Sequence, residues 1–360
     1  LCDINEQKVV SECQDLSDTL GFYPHNCVIG NYGTQYEQLA DCDVVINAAG
    51  DVKTSAKDRD GELFVTTDIA RTWISRLFNA GFHGVIITIS NPCDVVATEI
   101  WHITGYDPRK IIGTGTALDS ARLRNAIAKR VNVDQKSIGA YMLGEHGNSQ
   151  FAYWSNVNIA GKPLAQLAQD DPQRFTLDKD ETEQDARRGG YRVYAGKECT
   201  EYAIAATAAR LTQAVLCDEH YATACSTLLT GEQGESGNYA SLPCIIGANG
   251  VEEVLNPTLT ESEQAKFHAS CEHIRANRGN FDRYPAFKAA DGYNTTCPVP
   301  TTTTGWYLPA SGQWWDILQN LGGCTALAKP DEQASSQDDD FGWSGQGDVP
   351  AALNAWMEKI

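Results

Sequence analysis

Asp119, Arg122 and His146 are the residues of this chain whose types and spacing could do chemistry together. Converting a 2-keto acid into a 2-hydroxy acid requires a hydride at the carbonyl carbon and a proton at its oxygen. An imidazole, with an ordinary pKa of about 6.5, can give or take that proton near neutrality. His146, within Gly144-Glu145-His146-Gly147, is the candidate. A carboxylate on its other ring nitrogen would fix the tautomer and favour the imidazolium, and Asp119 in Leu118-Asp119-Ser120-Ala121-Arg122 suits that role. The planar fork of Arg122, one helical turn after Asp119, matches a substrate carboxylate with two parallel hydrogen bonds. Each piece has a plainer reading: a histidine between glycines is common in loops, and Asp and Arg at i, i+3 have the spacing of an intrahelical ion pair. Their conjunction points to the keto acid chemistry.

Such a trio has to be positioned by a fold. The apolar runs Val44-Ala48, Val85-Ile89 and Lys110-Ile112 alternate with helical patterns, which reads as an α/β domain. Beyond about Gly115 the pattern gives a helix over Ala117-Arg130, a strand before Gly144, and strand pairs around Gly161-Lys162 and Gly247-Gly250. A long helix is predicted from Tyr202 to Glu219, and a last one from about Glu261 to Asn277. Thr260 and Glu263 there have the spacing of a capping box.

Four stretches carry a family resemblance: Ile89-Ser90-Asn91-Pro92-Cys93-Asp94, Gly113-Thr114-Gly115-Thr116-Ala117-Leu118-Asp119-Ser120-Ala121-Arg122, Gly144-Glu145-His146-Gly147-Asn148-Ser149 and Cys199-Thr200-Glu201-Tyr202-Ala203-Ile204. Over about residues 1–280 the chain resembles the L-lactate and malate dehydrogenase family, in particular its L-2-hydroxyisocaproate dehydrogenase branch. The resemblance implies an NAD-dependent oxidoreductase that interconverts a 2-keto acid and an L-2-hydroxy acid and works as a homo-oligomer, a dimer or tetramer. It implies His146 as the acid/base, Asp119 as its partner, Arg122 as the carboxylate clamp and Asn91 as a ligand of substrate oxygen and nicotinamide. Thr200 would line the substrate pocket, and Ala48, Ala49 and Gly50 would touch the cofactor. The family takes a second arginine from a mobile loop, and Arg59, in the stretch from Gly50 to Gly61, falls at that place. Lys53 would touch the substrate: it could pair with a second carboxylate, as in a malate enzyme, or lay its stem along a branched aliphatic chain. The isocaproate resemblance favours the latter, and malate dehydrogenase is the alternative.

The implied architecture is α/β: an incomplete Rossmann-type parallel sheet domain over 1–114, an α+β lactate dehydrogenase-type substrate domain over 115–280, and an appended segment over 281–360. The fingerprint GxGxxG should follow the first strand, with an acidic ribose ligand about 20 positions later. Leu1-Cys2-Asp3-Ile4-Asn5 reads as the end of the second strand and Asp3 as that ligand, so the sequence is expected to start after the phosphate loop. A missing first strand would leave open edges in the sheet centre, and weak or absent NAD binding and impaired activity are expected.

The formal net charge of −19 argues against nucleic acid or anionic membrane partners, and no apolar run approaches the ~18 residues of a membrane span. The 12 cysteines form no CxxC and the seven histidines no HExxH, so reduced thiols, a cytoplasmic setting and no metal are expected. Cys93 and Cys244 lie in apolar stretches where a thiol acts as a small hydrophobe. Residues 281–360 change character: Trp306, Trp314, Trp315, Trp343 and Trp356 gather there, and Gly305-Trp306-Tyr307-Leu308-Pro309-Ala310-Ser311-Gly312-Gln313-Trp314-Trp315 resembles fimbrillin-associated modules of bacterial cell-surface proteins. That pairing points to a chimeric reading frame. A non-catalytic remnant that serves subunit association, or a surface binding module carried by the tail, are the alternatives to an enzyme.

Overall fold

The computed structural model describes residues 1–50 and 62–278. Chain order begins with α1 (Glu6–Thr19), β1 (Val44–Asn47), α2 (Glu62–Asn79), β2 (Val85–Thr88), α3 (Cys93–Thr104), β3 (Ile111–Gly113) and α4 (Ala117–Val131). Short strands β4 (Ile138–Gly139), β5 (Met142–Leu143), β6 (Phe151–Ala152), β7 (Asn158–Ile159) and β8 (Lys162–Pro163) follow. Then come α5 (Leu164–Asp170), α6 (Pro172–Phe175), α7 (Lys179–Lys197), α8 (Tyr202–Leu216), β9 (Tyr221–Thr230), β10 (Ser236–Gly247), β11 (Gly250–Val254) and α9 (Glu261–Arg278).

One sheet runs β1-β2-β3-β9-β10-β11. Its first three strands are parallel, and β9, β10 and β11 are antiparallel, joined to β3 through the Gly113–Ser226 pair. The strand period of two sends alternate residues to opposite faces. Val45, Ile86 and Ile111 pack under α2 and α3 with Trp73, Ile74, Leu77, Val96 and Ile100. Val85, Ile87 and Ile112 point the other way, onto Leu211, Ala214 and Val215 of α8. Burial on both faces is why β2 reads as an unbroken apolar run, and each fully buried Ile contributes roughly 1.5–3 kcal/mol.

Among the described residues β1 has one strand neighbour, β2, so its other side carries no partner. Leu1 to Asp3 run parallel to the chain at Gly30 to Gly33 instead: Tyr32 N donates to Leu1 O at 2.9 Å and Asp3 N to Gly33 O at 3.1 Å. The last helix carries the predicted capping box: Glu263 N donates to Thr260 Oγ1 at 3.3 Å, and Thr260 N to Glu263 Oε2 at 3.0 Å.

The sequence pattern overran at α8, which ends at Leu216 and not at Glu219. Asp218 and His220 take positive φ there, yet Arg210 Nη1 holds Glu219 Oε2 at 2.6 Å, so Glu219 stays on the helix face and continues its pattern. Helix α7 went unpredicted, because Gly189-Gly190 in its middle lowers helix propensity by about 1 kcal/mol per glycine. Among the described residues no helix is long and apolar enough to cross a membrane, and the described cysteines are free. Burial pushes the Cys93 thiol up to about 12, and the hydrogen bond with Cys225, followed by burial, pushes the Cys244 thiol upward as well, consistent with inert core packing.

Candidate active site

The N-terminus of α4 and the start of β5 are stitched together. Thr116 Oγ1 donates to Met142 O at 2.5 Å, and Met142 N donates to Ser120 Oγ at 2.9 Å. The chain leaving β5 therefore passes beside Asp119. Gly144 takes φ +88° there, and a Cβ at this position would collide with Ser270 Oγ, so the first glycine of the Gly-Glu-His-Gly stretch is a steric requirement.

His146 Nδ1 lies 2.5 Å from Asp119 Oδ2. The other oxygen, Asp119 Oδ1, accepts from Arg122 Nη1 at 2.8 Å. The intrahelical ion pair and the histidine partnership are thus both present, on opposite oxygens of one carboxylate that is 1% exposed. Burial alone would raise the Asp119 pKa, but the His146 and Arg122 charges and hydrogen bonds outweigh it and hold the carboxyl below the ordinary range. The Arg122 stem lies against α7: a Cβ on Gly189 would stand 2.9 Å from Arg122 Cδ, and one on Gly190 3.5 Å from its Nη1 and Nη2.

Asn91 follows β2 and lines a cavity with His146, Glu145, Asn148, His273 and Asn277. A second cavity of about 260 Å³ adjoins it through Gly147 and Asn148 and reaches Gln184, Arg187, Arg188 and Tyr191 of α7. Ala48, Ala49 and Gly50 follow β1, where Ser90 Oγ donates to Ala49 O at 2.7 Å and Ala49 N to Asn47 Oδ1 at 3.2 Å. Parallel α/β sheets bind ligands outside the carboxyl ends of their strands, and these residues lie at two adjacent ends. They fit the nicotinamide-bearing half of a dinucleotide. Asp3 is half-buried, its Oδ1 taken by Asn5 N at 2.8 Å.

Thr200 lies between α7 and α8, half-buried, and lines neither cavity. Lys53 and Arg59 lie outside the described residues. Sequence reasoning gave no role to Asp94, Glu145, Ser270 or His273, which surround His146. The acidic residue two places after Asn91-Pro92, in the first turn of a helix, was the available signal for Asp94.

Known proteins resemble this chain over most of its length. Residues 1–113 match the model of the lactate/malate dehydrogenase NAD binding domain, and residues 116–280 that of the lactate/malate dehydrogenase alpha/beta C-terminal domain. The chain is 36% identical over 272 residues to the L-lactate dehydrogenase of Fusobacterium nucleatum, covering 75% of this chain and 85% of that protein. The chain belongs to the lactate/malate dehydrogenase family. L-lactate dehydrogenase 1 of Bifidobacterium longum is 35% identical over 276 residues, 76% of this chain and 87% of that one. Among solved structures, a lactate dehydrogenase from a Medee basin deep-sea metagenome library superposes with a TM-score of 0.73 at 30% identity, over 78% of this chain and 90% of that chain. The ligand-bound minor L-lactate dehydrogenase of Enterococcus mundtii gives 0.71 at 30% identity, over 77% and 88%. As in that family, a Rossmann-like NAD-binding part precedes an α/β C-terminal part, and NAD(H) is the cofactor this fold implies. The family matches end at residue 280, before the tryptophan-rich stretch, which lies outside the described residues.

Proposed function

We propose that this chain is an NAD-dependent L-2-hydroxy acid dehydrogenase that reduces a small 2-keto acid of the pyruvate type and runs the reverse oxidation. The observation that carries the reading is the single buried carboxylate of Asp119, which holds the proton carrier His146 with one oxygen and the clamp Arg122 with the other.

NADH, when bound, supplies the hydride. Arg122 pairs its guanidinium with the substrate carboxylate and so turns the keto group toward His146. His146, with Nδ1 toward Asp119, presents Nε2 to the keto oxygen and gives it a proton; in the oxidative direction it takes the hydroxyl proton back. Asp119, held ionised, favours the imidazolium and keeps the ring in one tautomer. Asn91 would hold the substrate oxygen and the nicotinamide, with Ala48, Ala49 and Gly50 the residues that would touch the cofactor and Asp3 the one that would take its ribose. The resemblance gives Thr200 to the substrate pocket, although it lines neither cavity of this structure. Arg59 polarises the carbonyl and Lys53 tunes substrate choice. The working unit is a homo-oligomer.

Pyruvate, 2-ketoisocaproate and oxaloacetate, compared at equal concentration in an NADH oxidation assay, test the reading. Preference for a monocarboxylic keto acid is the expected outcome. Preference for oxaloacetate would make it a malate enzyme, and inertness toward all three in folded protein would reject a dehydrogenase. A parallel titration with NADH alone measures cofactor binding apart from turnover.

A further inference from the structure

Asp94 is a buried carboxylate for which the proposed chemistry has no use. It stands in the first turn of α3, 2% exposed, and both its oxygens are taken. Oδ2 accepts from the main-chain N–H of His146 at 2.7 Å, and Oδ1 accepts from Ser226 Oγ of β9 at 2.5 Å. The segment that carries His146 is anchored residue by residue to different elements. Gly144 N donates to Ser241 O of β10 at 3.0 Å, Glu145 N to Ser270 Oγ of α9 at 2.7 Å, and His146 N to Asp94 of α3. Of these three acceptors only Asp94 carries a charge, and it holds the residue that moves the proton.

We propose that Asp94 is the positioning residue of His146: it fixes the main chain of the proton carrier while Asp119 fixes its ring, so that two carboxylates from two helices set where Nε2 stands. The inference rests on the dehydrogenase reading given above. A hydrogen bond from N–H to a carboxylate is roughly twice as strong as a neutral one, and an orphaned buried N–H is costly. The N-terminus of α3 favours a negative charge at this position. Burial pushes the Asp94 carboxyl up to about 6, partly offset by the Ser226 and His146 hydrogen bonds. Because an imidazole displaced by about 1 Å costs roughly a hundredfold in rate, a main-chain anchor has catalytic weight without touching substrate.

The test uses the full chain as wild type, Asp94→Ala and Asp94→Asn, with two readouts. One is steady-state keto acid reduction; the other is hydrogen exchange at the His146 amide by NMR, which needs neither cofactor nor turnover. In Asp94→Ala, kcat should fall about a hundredfold, with KM for the keto acid little changed because Arg122 is untouched. Exchange at His146 should accelerate about tenfold or more. Asp94→Asn keeps a side-chain oxygen for His146 N and should recover most of kcat. Unchanged exchange at His146 in Asp94→Ala, or a kcat defect that Asp94→Asn does not correct, would overturn the proposal. Should Asp94→Ala not fold, Asp94→Asn is read by exchange: the rate at His146 should rise while that at Glu145, held by Ser270, stays put, and equal changes at both would overturn it. A wild-type chain without turnover counts against the dehydrogenase reading, and the exchange arm then decides on Asp94 alone.

Discussion

The stem of Arg122 is seated on Gly189: an added Cβ would lie 2.9 Å from Arg122 Cδ and 3.1 Å from Nε. The pairing of Arg122 with Asp119 leaves little freedom to retreat. Gly189→Ala is expected to push the guanidinium out of register and raise KM for the keto acid about tenfold or more, the size of a lost charge-assisted hydrogen bond. Gly190→Ala, with its contacts at 3.5 Å, should have a small kinetic effect. It should also stabilise α7 by about 0.5–1 kcal/mol, since alanine is the better helix former. Steady-state kinetics and denaturant titrations of the two variants separate these outcomes.

Asp119 is held below the ordinary carboxylate range in the folded chain. The linkage sign follows: its stabilising contribution is present above the unfolded value of 3.8 and is lost as pH falls through the folded one. Asp119→Asn is therefore expected to be less stable than wild type at neutral pH, with the gap closing in acid below the ordinary carboxylate range. Denaturant midpoints measured from neutral to acid pH check this.

Asp94 has the opposite sign. Its carboxyl is raised from 3.8 to about 6, with burial as the largest cause, so the folded state binds this proton more tightly than the unfolded state. Wild type should lose stability relative to Asp94→Asn as pH rises from 4 to 7, by up to about 3 kcal/mol, a tenfold difference in proton affinity being worth ~1.4 kcal/mol. Parallel unfolding curves of the two proteins across that window measure it; a constant difference would contradict the burial argument.

The cap of α9 offers a stability effect separated from the chemistry. Thr260→Ala removes the Oγ1 that accepts from Glu263 N and should cost about 1 kcal/mol. Glu263→Ala should cost more, because its buried carboxylate also accepts from Ser155 N at 2.9 Å and Ser155 Oγ at 2.7 Å. Thermal unfolding of both variants gives the comparison.

Local signals carried much of this structure. The parallel strands β1, β2 and β3, the helix bearing Asp119 and Arg122, and the Thr260–Glu263 cap are legible because periodicity and capping are short-range, whereas β9 was not read. The contact of His146 with Asp119 spans 27 residues and followed from chemical roles and resemblance. Ser226, Ser241 and Ser270 were not legible: their bonds to Asp94, Thr116 and Glu145 join residues 132, 125 and 125 positions apart, and nothing local distinguishes a serine that anchors a catalytic segment from one in a turn. Helix α7 was hidden by Gly189-Gly190, the residues that make room for Arg122.

The most direct test is the rate of NADH oxidation with pyruvate by the full chain as wild type and as His146→Ala. Wild type should turn over, and the variant should lose roughly 10²–10⁴-fold in kcat while still binding the keto acid through Arg122. A His146→Ala chain that reduces pyruvate as fast as wild type would contradict the account.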